Sequence, residues 1–186
     1  MSVGFERRVF NVEEYHRMSE AGILSEDDGV ELIEGEIIKM TPIGSRHAAC
    51  VNRLNVLLNR KAGHAAIVSV QNPIRLDDYS EPQPDIALLQ PRDDFYSQAH
   101  PASKDVLLII EVADTSIEYD RSVKLPLYAR ARIPEVWLAN LINDSVKAFS
   151  QPADGAYREF REAKRGEVLT PARIPDMTLS VDEILG

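Results

Sequence analysis

Short apolar runs separated by turn residues predict most of the strands of this chain. The most apolar run covers 106–112, and shorter runs follow Asp85 and cover 135–141. Apolar runs of this length between turn signals are typical of buried strands. Two further runs, at 30–33 and 37–40, flank Glu34, Gly35 and Glu36 and predict an N-terminal β-hairpin. Other strands are predicted at 65–70, 146–150 and 157–162, the last two as an antiparallel pair.

Helical patterns lie between these runs. Apolar residues at 50, 51, 54, 57 and 58 form one stripe and predict a helix over 46–61, which Ser45 could cap and Gly63 ends. Capping-box spacing from Asn11 and from Thr115 predicts two further helices, and Ser180 begins a short one. We therefore expect an α/β or α+β fold. A central mixed β-sheet flanked by helices would form a single domain over 1–186.

Composition narrows the class of protein. The chain has 186 residues and one cysteine, Cys50, which excludes an intrachain disulfide and a cysteine-rich zinc site. Cys50 lies on the apolar stripe, so we interpret it as a small core residue. No apolar run approaches the length of a membrane span, and 1–10 lacks the apolar segment of a signal peptide. These features predict a cytoplasmic protein.

Charge is distributed unevenly along the chain. The net charge of −9 argues against nucleic-acid binding, but 37–76 contains no Asp or Glu and carries a formal charge of +6. Within it, Arg46, Arg53 and Arg60 recur every seven residues and share one helical stripe. The stripe is either a face for an anion or an ordinary solvated helix face.

Glu111 interrupts the otherwise apolar run 106–113. A buried carboxylate costs several kcal/mol unless it is paired or binds a metal, so a positive charge should lie beside it. The candidates are a divalent cation shared with Asp85, the ammonium of Lys124, or both; a purely structural ion pair is the alternative. Asp120, Lys124 and Tyr128 are four residues apart and should face one way on a helix that Pro126 kinks or restarts.

The order of several short motifs resembles the PD-(D/E)xK nuclease superfamily, which has the restriction-endonuclease-like fold. Within it, the chain is similar to a bacterial family known as putative restriction endonucleases, formerly a domain of unknown function. The resemblance covers about 11–149. The lysine expected two residues after Glu111 is Ala113 here, and the resemblance implies that Lys124 fills its role. The motifs are Glu31-Leu-Ile-Glu-Gly-Glu, Thr41-Pro42, His47, Gln71-Asn-Pro-Ile-Arg-Leu, Pro84-Asp85, Ile110-Glu111-Val112, Asp120-x3-Lys124-x3-Tyr128 and Ile133-Pro-Glu-Val-Trp137.

The resemblance implies a metal-dependent endonuclease that hydrolyses DNA phosphodiester bonds. Asp85 and Glu111 would hold one Mg²⁺ or Mn²⁺ through hard oxygen ligands. Lys124 would orient the attacking water or offset phosphate charge. Glu31 is expected as a third catalytic acid, and the carbonyl of Val112 as a further possible ligand.

Other residues would assist around this centre. Asp120 would tether the ammonium of Lys124, while His47 and Tyr128 would position groups or contact phosphate. The phosphates of the DNA backbone would bind to the arginine stripe, without sequence preference. A homodimer is expected through a sheet edge or the hairpin over 146–162. Two alternatives stay open: a non-catalytic nucleic-acid-binding or interaction protein that retains the fold, favoured by the net charge of −9, and a hydrolase of another substrate.

Overall fold

Five helices and ten strands form the described part of the chain in the computed structural model, which describes residues 7–114 and 117–186. The predicted helix start at Thr115 and the stretch 1–6 lie outside these residues. The helices are α1 (Val12–Glu20), α2 (Ser45–Ala62), α3 (Ile117–Tyr119), α4 (Leu125–Arg130) and α5 (Val181–Leu185), with 3₁₀ turns at Glu26–Asp28 and Ser103–Asp105 and a π-helical segment at Asp120–Lys124. The strands are β1 (Val30–Ile33), β2 (Glu36–Lys39), β3 (Ile67–Val70), β4 (Ile86–Leu89), β5 (Val106–Ala113), β6 (Glu135–Asn140), β7 (Ser145–Ala153), β8 (Ala156–Lys164), β9 (Val168–Leu169) and β10 (Leu179–Ser180).

A six-stranded mixed sheet forms the centre of the fold, in the order β3-β4-β5-β6-β7-β8. Strands β5 and β6 are parallel, with Glu111 opposite Leu138, and the other neighbouring pairs are antiparallel. A parallel pair needs a crossover connection. Here α3, the π-helical segment and α4 provide it. The expected central mixed sheet flanked by helices is confirmed.

Each face of the sheet packs on a different set of helices. Leu54 and Leu58 of α2 lie in one core with Ile110, while Leu127 of α4 lies in the other with Ile109. Side chains alternate between the faces of a strand. Glu111 therefore projects to the same side as Ile109, toward α4. This geometry brings the one carboxylate of β5 beneath the helix that carries Tyr128.

The predicted N-terminal hairpin is present as β1 and β2, joined at Glu34 and Gly35. Both turn residues have positive φ, 49° and 79°, as a two-residue hairpin turn of the favoured type requires. Leu32 packs with Val12 and Tyr15 in a small separate core. The predicted alternation in β1 therefore directs Leu32 to this core and leaves Glu31 free to face the main sheet.

Most predicted elements are present with ends shifted by up to three residues, and the clearest differences are in α2, in β3 and before α4. Gly44 has an extended backbone (ψ 159°) and is the N-cap of α2, so the helix begins at Ser45, one residue earlier than predicted. The predicted strand at 65–70 begins at Ile67. The helix expected to carry Lys124 is π-helical through Asp120–Lys124, and Pro126 restarts a regular α-helix in the first turn of α4. Among the described residues, no helix is long and apolar enough to cross a bilayer.

Candidate active site

Four elements bring acidic side chains and one ammonium together between the sheet and α4. Glu31 comes from β1, Asp85 lies directly before β4, Glu111 lies in β5 and Lys124 ends the π-helical segment. Only 1% of Glu31, 2% of Glu111 and 7% of Lys124 is exposed to solvent. Charged groups are rarely buried to this extent without partners. The contacts between them therefore decide what the site can do.

The ammonium of Lys124 lies between two carboxylates. Its Nζ is 3.4 Å from Glu111 Oε1 and 3.5 Å from Glu31 Oε2. Burial acts to lower the pKa of Lys124, but the charges of Glu111 and Glu31 outweigh it and raise the pKa above the ordinary value. Lys124 therefore remains protonated at neutral pH. Such a group supplies positive charge and does not serve as a base.

Glu111 is held by hydrogen bonds on both oxygens. The Tyr128 hydroxyl donates to Oε1 at 2.6 Å, and the backbone N–H of Asp85 donates to Oε2 at 3.2 Å. Burial raises the pKa of the Glu111 carboxyl, Lys124 lowers it, and the negative charge of Asp85 raises it further. The raised pKa shows that the positive charge of Lys124 does not fully offset the burial of Glu111 and the negative charge of Asp85.

Asp85 is oriented from three directions. The backbone N–H of Val112 donates to Oδ2 at 2.9 Å, His47 Nε2 lies 2.9 Å from the same oxygen, and Gln71 Nε2 donates to Oδ1 at 3.3 Å. The hydrogen bond to Asp85 raises the pKa of His47, although burial acts against it. Nδ1 of His47 is buried and has no hydrogen-bond partner within 7–114 and 117–186.

Glu31 is fixed by residues from two other segments. The backbone N–H of Gln83 donates to Oε2 at 3.0 Å, and the Tyr119 hydroxyl donates to Oε1 at 3.3 Å. Burial, followed by the charge of Glu31, raises the pKa of the Tyr119 hydroxyl, so it stays protonated and remains a donor. The carboxylate of Glu31 is thus preorganised beside Lys124.

Asp120 adds a fourth acid to the cluster. It is 4% exposed, and its negative charge raises the pKa of Lys124 and of Glu111. It also raises the pKa of His47. The structure therefore brings together seven residues named from the sequence: Glu31, His47, Asp85, Glu111, Asp120, Lys124 and Tyr128.

Three further groups of the site were not predicted from the sequence to take part in it. They are the side chains of Gln71 and Tyr119 and the backbone N–H of Gln83. Tyr119 and Lys124 are five residues apart and share a face because the segment between them is π-helical. A search at α-helical spacing misses that pair. Gln71 has a φ of 50°, and the motif Gln71-Asn-Pro-Ile-Arg-Leu, which it begins, was the available signal.

The arginines of the α2 stripe have contacts within the protein. Arg46 donates from Nη2 to the carbonyl of Leu141 at 2.7 Å, and its Nη1 lies 3.5 Å from Asp114 Oδ1. Arg53 donates to the carbonyl of Leu185 at 2.8 Å. Arg60 is exposed near the far end of α2. The stripe begins beside His47, so Arg46 is its member nearest the acids.

The residues present fit a hard divalent cation. Glu31, Asp85, Glu111 and Asp120 surround a single ammonium among the described residues, so negative charge is in excess. The longest hydrogen bond of the Glu111 carboxylate is the one to Oε2, at 3.2 Å. The longest hydrogen bond of the Asp85 carboxylate is the one to Oδ1, at 3.3 Å. Carboxylate oxygens are the ligands that Mg²⁺ and Mn²⁺ prefer. Asp85 and Glu111 are neighbours in this cluster, since the backbone N–H of Asp85 donates to Glu111 Oε2.

Comparisons with known proteins identify the family and the fold of this chain. The family model Uma2, described as "Putative restriction endonuclease", matches residues 12–182. A crystal structure of a putative nuclease belonging to DUF820 from Anabaena variabilis is similar, with a TM-score of 0.72. The two chains share 14% identity over 95% of this chain and 97% of the other, a level that establishes the fold. No curated protein matches the sequence.

Proposed function

The chain belongs to the Uma2 family of putative restriction endonucleases, and from that premise we propose that it is a metal-dependent endonuclease acting on DNA. One observation carries the proposal. The Lys124 ammonium lies 3.4 Å from a Glu111 carboxylate whose other oxygen accepts the backbone N–H of Asp85. Two acids that can hold a metal ion and one ammonium that can offset phosphate charge suit phosphodiester hydrolysis.

Each residue has a distinct part in the proposed reaction. Mg²⁺ or Mn²⁺ bound by Asp85 and Glu111 would lower the pKa of a bound water and offset charge on the scissile phosphate. Lys124, kept protonated by Glu111 and Glu31, stabilises the negative charge that develops on the phosphate oxygens. Glu31 holds Lys124 in place and is the proposed third acid. The carbonyl of Val112 remains a proposed further ligand.

Neighbouring residues keep the acids in position. Tyr128 fixes the orientation of Glu111 by a 2.6 Å hydrogen bond, and His47 fixes Asp85 by a 2.9 Å contact. Partners of this kind set the orientation and basicity of ligating groups. Asp120 supplies a further negative charge that keeps Lys124 protonated.

The proposed substrate is DNA, bound mainly through its phosphates. Arg46, Arg53 and Arg60 would contact the backbone without reading bases. A homodimer is proposed through the outer edge of β8, where the Phe160 side chain is 70% exposed and stacks on Phe149 at 6.1 Å between ring centroids. We place the activity in the cytoplasm, in keeping with a single free cysteine.

Cleavage of plasmid DNA tests the proposal. The wild type should cleave with millimolar Mg²⁺ or Mn²⁺ and stop with chelator. Asp85→Asn and Glu111→Gln should each reduce cleavage by at least about a hundredfold, since each removes a proposed metal ligand. Lys104→Ala, at an exposed lysine next to β5, is the matched control and should keep full activity. Parallel assays with single-stranded DNA and RNA define the substrate.

A second candidate function is that of a non-catalytic nucleic-acid-binding or interaction protein that retains the fold. The net charge of −9 and the engagement of Arg46 and Arg53 with carbonyls of the protein itself disfavour a free nuclease, and they favour the interaction protein within this alternative. Fluorescence anisotropy on labelled DNA separates the two functions. Binding that persists in Asp85→Asn, with no metal-dependent cleavage by the wild type, would favour the binding protein over the nuclease.

A further inference from the structure

Three side chains outside the acidic site meet where α1, the segment before β4 and the loop before β5 come together. They are His16, Glu81 and His100, and one ligand atom of each lies within 4.8 Å of the other two. His16 Nε2 is 2.7 Å from Glu81 Oε1. The rings of His16 and His100 are 6.0 Å apart between centroids and inclined at 69°, so they do not stack face to face.

Glu81 is the buried member of this group. It is 2% exposed, and its second oxygen, Oε2, is buried without a hydrogen-bond partner in the described part of the chain. A buried carboxylate oxygen without a partner is costly, and a bound cation removes that cost. The backbone of Glu81 is fixed because its N–H donates to the carbonyl of Leu32 at 2.8 Å. The carboxylate is therefore held at the cluster.

The backbone of each histidine is held by the fold, and the side chain of each is accessible to solvent. His16 lies on α1, which begins with a complete capping box at Asn11 and is tied to β1 by the Tyr15 hydroxyl, 3.0 Å from the carbonyl of Val30. His100 precedes Pro101, whose carbonyl accepts the N–H of Arg75 at 2.9 Å. The His16 side chain is 43% exposed and His100 is exposed. A cation can thus enter from solvent.

We propose that His16, Glu81 and His100 form a binding site for a divalent cation of the zinc class, separate from the acidic site. Two imidazole nitrogens and one carboxylate oxygen are a common three-ligand set for Zn²⁺, with water in the fourth position. Mg²⁺ prefers oxygen ligands and selects the acidic site instead. The bound ion replaces the contact between His16 and Glu81 and satisfies the buried oxygen of Glu81.

A cation at this site links three segments of the fold. It joins α1, the segment that leads to Asp85, and the loop 91–102. Glu81 lies two residues before Gln83, whose N–H holds Glu31 at 3.0 Å. Zinc binding should therefore stabilise the segment between Glu81 and Asp85. It should also slow amide hydrogen exchange in the loop around His100.

Isothermal titration of the chelator-treated full chain with Zn²⁺ tests the site. The wild type should bind one equivalent, and His16→Ala and His100→Ala should each weaken that binding by at least about tenfold, as expected for loss of a ligand. His64→Ala removes an exposed histidine elsewhere and is the matched control. Asp85→Asn tests whether zinc occupies the acidic site. Both controls should bind Zn²⁺ as the wild type does.

The outcomes distinguish this site from the proposed nuclease site. Zinc binding lost in His16→Ala and His100→Ala but kept in Asp85→Asn supports the inference, whether or not DNA is cleaved. No zinc binding, or binding that depends on Asp85 and not on the two histidines, overturns it. Circular dichroism of each variant verifies folding, and the visible spectrum of bound Co²⁺ should change in His100→Ala, which alters an exposed loop residue.

Discussion

At the scale of single residues, the acidic site is defined by an imbalance of charge. The carboxylates of Glu31 and Glu111 share one ammonium, at 3.5 and 3.4 Å, and Asp85 and Asp120 add negative charge beside them. Buried charges are tolerated only when their partners are in place. Removing the single positive group, or adding a cation, should therefore change stability as well as activity.

The first prediction concerns Lys124→Ala in metal-free buffer. This substitution leaves Glu31 and Glu111 buried without their shared partner, so the free energy of unfolding should fall by about 3 kcal/mol. Mg²⁺ should restore part of the loss because it supplies positive charge at the same acids. Urea unfolding with chelator or with Mg²⁺ measures both effects. Lys104→Ala should change neither the free energy of unfolding nor its response to Mg²⁺. If Lys124→Ala lowers the free energy of unfolding no more than this control does, the ion pairs of Lys124 with Glu31 and Glu111 contribute little.

The second prediction concerns the Tyr128 hydroxyl. Burial and the charge of Glu111 raise the pKa of Tyr128, so its hydroxyl is a donor at all ordinary pH values. Tyr128→Phe removes a 2.6 Å hydrogen bond to a buried carboxylate and should cost about 2 kcal/mol of unfolding free energy. Urea titration measures this loss. Tyr79→Phe, at a side chain that is 49% exposed, is the control and should stay close to the wild type.

At the scale of elements, the sequence predicts the candidate residues that lie on regular strands and helices. It does not predict the contact that depends on the π-helical segment. Alternation in β1 and β5 predicts that Glu31 and Glu111 are candidates, because a carboxylate among apolar neighbours stands out. The spacing of Lys124 and Tyr128 within a regular helix predicts their shared direction. A π-helical insertion has no marker in a single sequence, so the partnership of Tyr119 with Lys124 could not be predicted.

The third prediction concerns the hairpin turn that precedes β2. A Cβ at Gly35 would lie 2.5 Å from Val9 Cβ and 3.2 Å from the backbone N and O of Phe10. Gly35→Ala should therefore destabilise the protein by backbone strain and by a steric clash. Gly166→Ala is the matched control, since Gly166 also has positive φ (84°) but no atom within 4 Å of the added Cβ. Gly35→Ala should cost about 1–3 kcal/mol more than the control in urea unfolding. Equal losses would mean that the segment around Val9 yields to the new methyl group.

At the scale of the whole molecule, the sequence predicts the local elements but not the contacts between residues that are far apart along the chain. Apolar runs, capping residues and the Gly35 turn predict nearly every element, because each is encoded by neighbouring residues. The pairing of Asp85 with His47 joins the residue before β4 to α2 across 38 residues, and local patterns carry no information on such contacts. The arginine stripe shows the same limit, since periodicity did not predict that Arg53 contacts the carbonyl of Leu185.

The fourth prediction is that stability falls steeply in alkali. Burial raises the pKa of Tyr119, Tyr128 and Tyr157 well above the ordinary tyrosine value. A nearby carboxylate raises each pKa further: Glu31 for Tyr119, Glu111 for Tyr128 and Glu135 for Tyr157. Since their folded-state pKa values are raised, these groups contribute stability that is fully present below about pH 10 and is lost as the pH rises. A buried group can contribute a loss of up to about 1.4 kcal/mol per pH unit, and Tyr119 contributes less because its side chain is partly exposed, so the three together give about 3–4 kcal/mol per pH unit.

Urea unfolding at a series of pH values above about pH 10 measures this slope. Tyr157→Phe should remove about a third of it, because one fewer tyrosine then ionises in the unfolded chain while staying neutral in the folded chain. The substitution also removes the 2.9 Å hydrogen bond from Tyr157 to the carbonyl of Ile133. It should therefore lower stability at neutral pH by about 1 kcal/mol while flattening the alkaline decline. If Tyr157→Phe and Tyr79→Phe decline with the slope of the wild type, the alkaline loss has its origin in groups other than these buried tyrosines.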